Sequence, residues 1–203
     1  LIISWLRNIP FVFEVRDLWP AVFVDLGVIN NPFLIRFLEF WEMFLYRRAQ
    51  LVVTVTESFR NLLVERGVSS EKVVTISNGA NVDFFSVGER DNAVRHEHGI
   101  GDRFVVSYLG AHGIAHGVDT VLRAAEILRH RKDIVFLLAG EGAMKKELLA
   151  LKESLAIDNV FMLAAQPMRR MPDFYRASDV CLVPLRDVPL FETFVPSKMF
   201  EIM

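Results

Sequence analysis

Short apolar runs alternate with helical patterns along most of the chain. The apolar runs predict strands at 11–15, 51–56 and 73–76, and further strands beginning near Phe104, Ile134, Val160 and Asp179. Apolar residues spaced three and four apart predict helices over 33–49, 57–66, 118–132, 144–155 and 170–177. Such alternation indicates parallel βαβ units covered on both faces, and therefore an α/β fold with two Rossmann-like regions.

The periodicity fades between the two regions, where glycines and charged residues cluster. We therefore predict a first domain over 1–80, a linker or junction over 81–103 and a second domain over 104–203. The chain starts at Leu1 and stops at Met203, inside a predicted helix that has no C-terminal glycine cap. We expect a fragment of a longer protein, with both domains incomplete.

The predicted helix 33–49 is unusually rich in aromatic residues and is flanked by Arg36, Arg47 and Arg48. One interpretation is a surface that leans on a membrane interface. The other, which we favour, is a helix buried between layers, because its apolar residues occupy more than one face.

The amino-acid composition excludes several classes of protein. The 23 Lys and Arg against 25 Asp and Glu give a net charge of −2, which argues against a general nucleic-acid binder. An aromatic content of 11% excludes disorder, and the single Cys181 favours a reducing, cytosolic compartment. The longest stretch without Asp, Glu, Lys or Arg, 104–118, is too short for a transmembrane helix.

The loop that follows the predicted strand at Phe104 reads Gly110-Ala-His-Gly-Ile-Ala-His-Gly117 and leads into a helix. Glycines let the backbone approach a ligand, and the N-terminus of a helix favours anions, so the loop predicts a phosphate site. A tight turn that needs glycine for its own geometry is the alternative. His116 is a candidate hydrogen-bond donor to a diphosphate. His112 and His116 have no third partner in the pattern, so no metal site is expected.

The segment Pro196-Ser197-Lys198 with Glu201 predicts the start of a helix. A lysine in a first helical turn is disfavoured by the helix dipole, and a ligand phosphate would explain it. Glu201, one turn on, could accept hydrogen bonds from sugar hydroxyls. The alternative is a solvated Lys–Glu pair on the helix surface.

Two further loops follow predicted strands. Arg16 and Asp17 come directly after strand 11–15, where a charged pair suits a polar substrate, although a salt bridge beside a packed Trp19 would also explain them. Gly140-Glu141-Gly142 is a weaker signal for ligand contact. The chain contains no Asp-x-Asp motif, so phosphate charge is expected to be neutralised by basic side chains and helix ends rather than by a metal ion.

Together these motifs resemble, in their order along the chain, a family-4 glycosyltransferase of the GT-B fold. The similar subgroup comprises bacterial enzymes of surface-polysaccharide synthesis, such as colanic-acid, O-antigen and N-acetylfucosamine transferases. The matching segments are Val15–Pro20, Asn78-Gly79 with Asp83 and Phe85, Gly110–Gly117, Gly140-Glu141-Gly142, Asp179-Val180 with Pro184, and Pro196-Ser197-Lys198 with Phe200-Glu201. They extend over nearly the whole chain.

The resemblance implies two Rossmann-like domains, the second binding a nucleotide-sugar donor, with UDP-sugars favoured, and the first binding a lipid-linked glycan acceptor. It implies metal-independent, retaining transfer of a hexose-type sugar without a cofactor, in the cytoplasm or on the inner face of the cytoplasmic membrane. The donor-binding residues would be Gly110, Gly113, His116, Glu141, Ser197, Lys198 and Glu201, and the catalytic ones Arg16 and Asp17.

Some positions depart from the family pattern. Glu201 corresponds to the second Glu of a Glu-x7-Glu motif, but the first position holds Thr193. Many members carry an Arg and a Lys where this loop has Ala111 and His116, so Lys198 is expected to supply the missing cation. Two alternatives stay open: a nucleotide-sugar 2-epimerase of the same fold, and a non-catalytic relative that binds nucleotide-sugars. We expect the fragment itself to be inactive.

Overall fold

All 203 residues are described by the structure, a computed structural model, and every strand in it pairs in parallel with its neighbours. The residues divide into two units. The first unit comprises Leu1–Gly79 and Asp187–Ser197, and the second unit comprises Ala80–Arg186 and Lys198–Met203. The α/β class with two parallel sheets is therefore confirmed.

The first unit has a three-stranded sheet in the order β1-β2-β3. Its elements are α1 (Ile2–Arg7), β1 (Val12–Val15), α2 (Ala21–Asp25), α3 (Pro32–Arg48), β2 (Leu51–Thr54), α4 (Glu57–Glu65) and β3 (Val73–Thr75). Local chemistry explains where the helices begin. The Asn31 side chain accepts hydrogen bonds from the first backbone N–H groups of α3, and Pro32 occupies its first turn. Thr56 caps α4 in the same way.

The second unit has a four-stranded sheet in the order β6-β5-β4-β7. Its elements are α5 (Ala93–Glu97), β4 (Phe104–Leu109), α6 (Val118–Ile127), β5 (Ile134–Ala139), α7 (Lys145–Ser154), β6 (Val160–Leu163), α8 (Met171–Ala177), β7 (Val180–Cys181) and α9 (Lys198–Ile202). Strands β5 and β6 lie on one side of β4, and β7 lies on the other. The strand order therefore reverses between β4 and β7, which is where open α/β sheets bind ligands beyond the carboxyl ends of their strands.

The segment predicted as a linker, 81–103, belongs to the second unit and contains α5. Its Arg95 is fully buried and donates hydrogen bonds to the carbonyl oxygens of Ala177, Gly101 and Arg103. Arg95 also bonds the Asp179 carboxylate at 3.0 Å. Residues 81–103 therefore contain a short helix that the buried guanidinium of Arg95 holds in the second unit, and they are not a free linker.

The other difference from the predicted domains lies near the end of the chain. The segment 187–197 was placed in the second domain, but it groups with the first unit. The Phe194 ring packs edge-on against Phe59, with ring centroids 4.9 Å apart, and the Thr56 hydroxyl donates to the carbonyl of Thr193 at 3.4 Å. Aromatic packing against the core of the first unit thus accounts for the placement.

The aromatic helix α3 is not buried all round, so the interpretation favoured from the sequence is wrong for this chain. Phe33, Phe37, Phe40 and Trp41 are exposed, and their spacing puts them on one stripe of the helix. The buried residues of α3 are Glu42 and Tyr46. None of the helices has the length and apolar character needed to cross a membrane.

Candidate functional site

The loop after β4 lies against the loop after β5 with no space for side chains between the two backbones. A Cβ atom on Gly140 would lie 1.8 Å from the carbonyl oxygen of Gly110. A Cβ atom on Gly142 would lie 2.5 Å from the carbonyl oxygen of His112. Glycine is required at both positions by these close approaches.

His112 links the two loops through its backbone. Its N–H donates to the carbonyl of Glu141 at 2.8 Å, and its carbonyl accepts from the N–H of Met144 at 2.9 Å. Lys145 adds two further bonds, donating from Nζ to the carbonyl oxygens of Gly140 and Leu163. The glycine-rich loop is therefore a braced structure at the carboxyl end of β4.

The side chain of His112 is fully buried, and neither ring nitrogen makes a hydrogen bond. Burial and, next, the charge of Lys145 lower its pKa to about 4, so the imidazole is neutral near pH 7. The sequence interpretation considered this residue only as half of a metal pair. No cluster of three or more His, Cys, Asp or Glu side chains is placed to hold a metal ion.

Lys198 reaches the same place from the first turn of α9. Its ammonium nitrogen is buried, makes no hydrogen bond and lies 4.2 Å from the centroid of the Tyr108 ring. A Cβ atom on Gly110 would be 2.5 Å from that nitrogen, so the lysine occupies the space that a side chain there would fill. Burial lowers the Lys198 pKa to about 8, and the charge of Glu201 opposes the shift.

Glu201 lies one helical turn beyond Lys198. Its Oε2 accepts a hydrogen bond of 2.8 Å from the hydroxyl of Tyr175 on α8. Burial and this hydrogen bond raise the Tyr175 pKa above its usual range, so the phenol stays a donor. One carboxylate oxygen of Glu201 is thus oriented by Tyr175.

The structure brings together four of the predicted donor-binding residues of the second unit. Gly110 and Lys198 are adjacent, the His116 ring centroid is 6.1 Å from that of Tyr108, and a Cβ atom on Gly113 would lie 3.2 Å from His116 Nδ1. The side chain of Glu141 is exposed, while its carbonyl holds His112. Ser197 lies in the first unit.

The first unit contains a separate cavity of about 240 Å³ at the carboxyl ends of β1 and β2. Arg16, Asp17 and Ser197 all line it, and Arg16 Nη2 donates to Oδ1 of Asn78 at 3.2 Å. The cavity therefore joins both predicted catalytic residues. Thr193, at the position of the family's first Glu, uses its hydroxyl locally by donating to the carbonyl of Leu190.

A larger cavity of about 470 Å³ is lined by residues of β1, the Arg16–Pro20 loop and α3. Aromatic and aliphatic side chains supply most of its wall, including Phe13, Trp19 and Trp41. Arg16 and Asp17 line this cavity as well. The two residues thus line both cavities, the smaller with a mixed polar and apolar wall and the larger with a mainly apolar wall.

Models of two glycosyltransferase domains match this chain. The model described as "Glycosyl transferase 4-like domain" matches residues 1–79, and the one described as "Glycosyl transferases group 1" matches residues 91–200. The chain therefore belongs to the glycosyl transferases of group 1.

Two relatives carry names that agree with this assignment. A protein of Escherichia coli K12, WcaI, named for a glycosyl transferase of colanic acid biosynthesis, is 26% identical over 155 residues, which are 75% of this chain and 38% of that protein. TuaH of Bacillus subtilis 168, named for a glycosyltransferase of teichuronic acid biosynthesis, is 22% identical over 95% of this chain and 47% of its own length. The chain thus spans less than half of each relative.

The same fold occurs in a solved GT-B structure. Anabaena HepE, crystallised with UDP-glucose, aligns with a TM-score of 0.70 and 20% sequence identity, covering 89% of this chain and 48% of HepE. The likeness shows the shared fold, with its two parallel sheets.

Proposed function

We propose that this chain is part of a glycosyltransferase whose second unit binds a nucleoside-diphosphate sugar at the carboxyl end of β4. The observation that carries the proposal is the buried Lys198 ammonium, which makes no hydrogen bond and lies against the glycine-rich loop. A buried cation without an acceptor costs free energy that a phosphate oxygen would offset. The UDP-glucose complex of the similar protein HepE favours UDP as the nucleotide.

Transfer would break the bond between the anomeric carbon and the β-phosphate oxygen, and the diphosphate leaves with the electron pair. The anomeric carbon would bond to an acceptor hydroxyl oxygen on the same face, and that hydroxyl would pass its proton to the phosphate oxygen of the leaving diphosphate. Lys198, His116 and the backbone N–H of Gly113 would stabilise the charge on the leaving diphosphate. No bound metal or cofactor is part of this proposal.

We assign the acceptor to the first unit, with Arg16 and Asp17 positioning its hydroxyl. Arg16 and Asp17 line both a mainly apolar cavity and one of mixed polarity, which suits an acceptor that has a sugar and an apolar portion, such as a lipid-linked glycan. The names of WcaI and TuaH favour a role in cell-surface polysaccharide synthesis.

Contact with the cytoplasmic membrane face would follow from a lipid-linked acceptor. The exposed aromatic stripe of α3 and the exposed Arg36, Arg47 and Arg48 suit an anionic lipid surface. Replacing the three arginines by alanine should weaken binding to anionic vesicles by roughly 1 kcal/mol for each residue. Replacing the exposed Arg123, Arg129 and Lys132 of the second unit is the charge-matched control. Equal loss in both triple variants would argue against a specific membrane face.

The test of the donor site is Lys198→Ala in the full-length protein of which this chain is part, assayed with UDP- and GDP-sugars and a lipid-diphosphate acceptor extract. Loss of one stabilising donor should cost roughly 2–4 kcal/mol in kcat/KM. Lys146→Ala, which removes an exposed lysine on α7, is the matched control. A Lys198→Ala enzyme within about threefold of the unmodified one would overturn the role of this lysine.

The same assay distinguishes a transferase from a non-catalytic nucleotide-sugar-binding protein and from a 2-epimerase. Acceptor-dependent nucleotide release with label in lipid supports the transferase. Donor binding without turnover would indicate a non-catalytic relative, and formation of an epimer without acceptor would indicate a 2-epimerase.

A further inference from the structure

We propose that Tyr108 is a positioning residue for Lys198, holding the lysine ammonium at the phosphate site by its ring face and leaving the N–H donors free. The inference rests on the proposed function, in which Lys198 binds the donor diphosphate. It adds a residue on β4 that the sequence motifs do not contain.

The first observation is what surrounds the ammonium. Lys198 Nζ is buried and lies 4.2 Å from the centroid of the Tyr108 ring, without a hydrogen bond to any oxygen. Buried lysines are ordinarily paired with a carboxylate. The carboxylate nearest along the helix, Glu201, accepts instead from Tyr175. The ring face of Tyr108 is therefore the group in direct contact with the ammonium, while Glu201 acts on it only through its charge.

The second observation is that the ring itself is fixed. Tyr108 is fully buried in β4, and its hydroxyl donates to the carbonyl of Ala111 at 2.6 Å. The His112 ring stacks against it at 5.9 Å, with an interplanar angle of 30°. The hydroxyl thus ties the ring to the glycine-rich loop, so the loop and the ammonium keep one relative position.

A ring face is better suited to this task than a carboxylate. A carboxylate would accept one or two of the ammonium N–H groups, and a phosphate would have to displace it. A ring attracts the cation through its quadrupole and leaves the three N–H groups directed elsewhere. The site is therefore preorganised for an anion, because binding requires no ion pair to be broken.

The test measures the affinities of UDP, UMP and uridine by calorimetry for Tyr108→Leu and Tyr108→Phe in the full chain. Tyr108→Leu should weaken UDP binding by roughly tenfold, while uridine binding stays the same, because only the phosphates contact Lys198. Tyr108→Phe retains the ring and should bind UDP within about threefold of the unmodified protein. Equal UDP affinity in Tyr108→Leu and Tyr108→Phe would overturn the proposal.

Phe136→Leu is the matched packing control. Phe136 is a buried aromatic residue on the adjacent strand β5, and it belongs to the same core cluster as Tyr108. Its replacement should lower the melting temperature without changing the ratio of UDP to uridine affinity. A change in that ratio as large as in Tyr108→Leu would show a general packing effect and contradict the positioning role.

Fluorinated phenylalanines at position 108 test the ring interaction without loss of shape, should Tyr108→Leu fail to fold. UDP affinity should fall stepwise with each added fluorine, because fluorine weakens the ring quadrupole. Constant affinity across the series would contradict the proposal.

Lys198→Met distinguishes a failure of the proposed donor site from a failure of the positioning role of Tyr108. If Lys198→Met leaves UDP affinity unchanged, the proposed donor site itself fails. If Lys198→Met weakens UDP binding but Tyr108→Leu does not, the donor site stands and the positioning role fails. Adding Tyr108→Leu to Lys198→Met should produce no further loss of UDP affinity, and a full additional loss would contradict the coupling.

Discussion

A buried cation lies at each end of strands β4 and β7, and the two cations differ in their hydrogen-bond partners. At the amino ends, the fully buried Arg95 donates to three backbone carbonyls and to the Asp179 carboxylate. At the carboxyl ends, the Lys198 ammonium is buried and makes no hydrogen bond. The first arrangement satisfies the buried cation within the fold, and the second leaves its N–H donors without an acceptor.

The difference follows from the fold and from burial. Asp179 precedes β7 and accepts from the Val105 N–H, so an acidic group is available at the amino ends. Burial raises the pKa of Asp179, but the hydrogen bonds from Arg90 and Val105 outweigh it and hold the pKa below its usual range. At the carboxyl ends the glycine-rich loop offers no carboxylate to Lys198. In this unit, the buried donors without acceptors thus lie at the end of the sheet where we propose that the donor binds.

The largest effect should come from Arg95→Met. Removing one partner of a buried ion pair and leaving three carbonyls without a donor should cost about 3–5 kcal/mol of stability. Urea unfolding of the full chain measures it. Arg90→Met removes the more exposed partner of Asp179 and should cost less than about 1 kcal/mol. Similar losses in both variants would mean that burial of Arg95 is not what holds residues 81–103 in the second unit.

The second-largest loss of stability should come from a substitution where the loops after β4 and β5 pack against each other. Gly140→Ala would put a Cβ atom 1.8 Å from the Gly110 carbonyl oxygen, so the two backbones must separate. We expect a loss of about 1–3 kcal/mol in stability together with weaker UDP binding. Gly79→Ala, where the added Cβ meets nothing within 4 Å, is the control. Unchanged UDP affinity in Gly140→Ala would show that the bracing does not shape the donor site.

Lys198→Met should act in the opposite direction to Arg95→Met. Because the ammonium is buried without an acceptor, its replacement should leave the free energy of unfolding unchanged or raise it by up to about 2 kcal/mol. Thermal unfolding with and without saturating UDP measures both properties. Added UDP should stabilise the unmodified protein and have little effect on the variant. A destabilised variant would mean that Lys198 supports the fold.

The smallest effect is a proton taken up when UDP binds. The Lys198 pKa is about 8 in the folded protein against 10.5 for the ordinary side chain, so the unliganded protein loses this proton above about pH 8. Between about pH 8 and 10.5 the unfolded chain binds more protons at this lysine than the folded protein does. The free energy of unfolding of the protein without UDP should therefore rise with pH over this range. A bound diphosphate favours the charged lysine, so UDP affinity should fall as pH rises above 8. His112 and Tyr108 also face the site. Burial lowers the pKa of His112 to about 4 and raises the pKa of Tyr108 above this pH range, so neither side chain changes its charge there.

Calorimetry in buffers of different ionisation enthalpy measures the proton uptake. Lys198→Met should abolish it, and Lys146→Met should not. Equal uptake in the two variants would assign the proton to another group.

The sequence alone was enough to place the strands and the longer helices, but not the short helices α1, α2 and α5. Strands were predicted to begin near Phe104, Ile134 and Val160, and the structure starts β4, β5 and β6 at those residues. The predicted helices mostly ended too late, as at α6, which stops at Ile127 rather than 132. Periodicity succeeds here because it arises from the local geometry of strands and helices, whereas helix ends depend on local caps and contacts.

The candidate site could be predicted in part. Glycine-rich loops after strands and the early lysine of α9 carry local signals, so Gly110 and Lys198 were identified and the structure places them together. Tyr108 and His112 were missed, because an aromatic residue in a strand and a histidine in a loop have no spacing that indicates a role. Their function in the site depends on what the neighbouring loop and α9 bring to them.

Tertiary packing alone decided three further features: the grouping of 187–197 with the first unit, the burial of Arg95 and the one-sided exposure of α3. Each depends on contacts between residues far apart in the chain, such as Phe194 with Phe59 and Arg95 with Asp179. The amino-acid pattern records which residues favour a strand, a helix or a turn. It does not record which distant segment covers a given face, because that choice is made by the packing and hydrogen bonding of the whole chain.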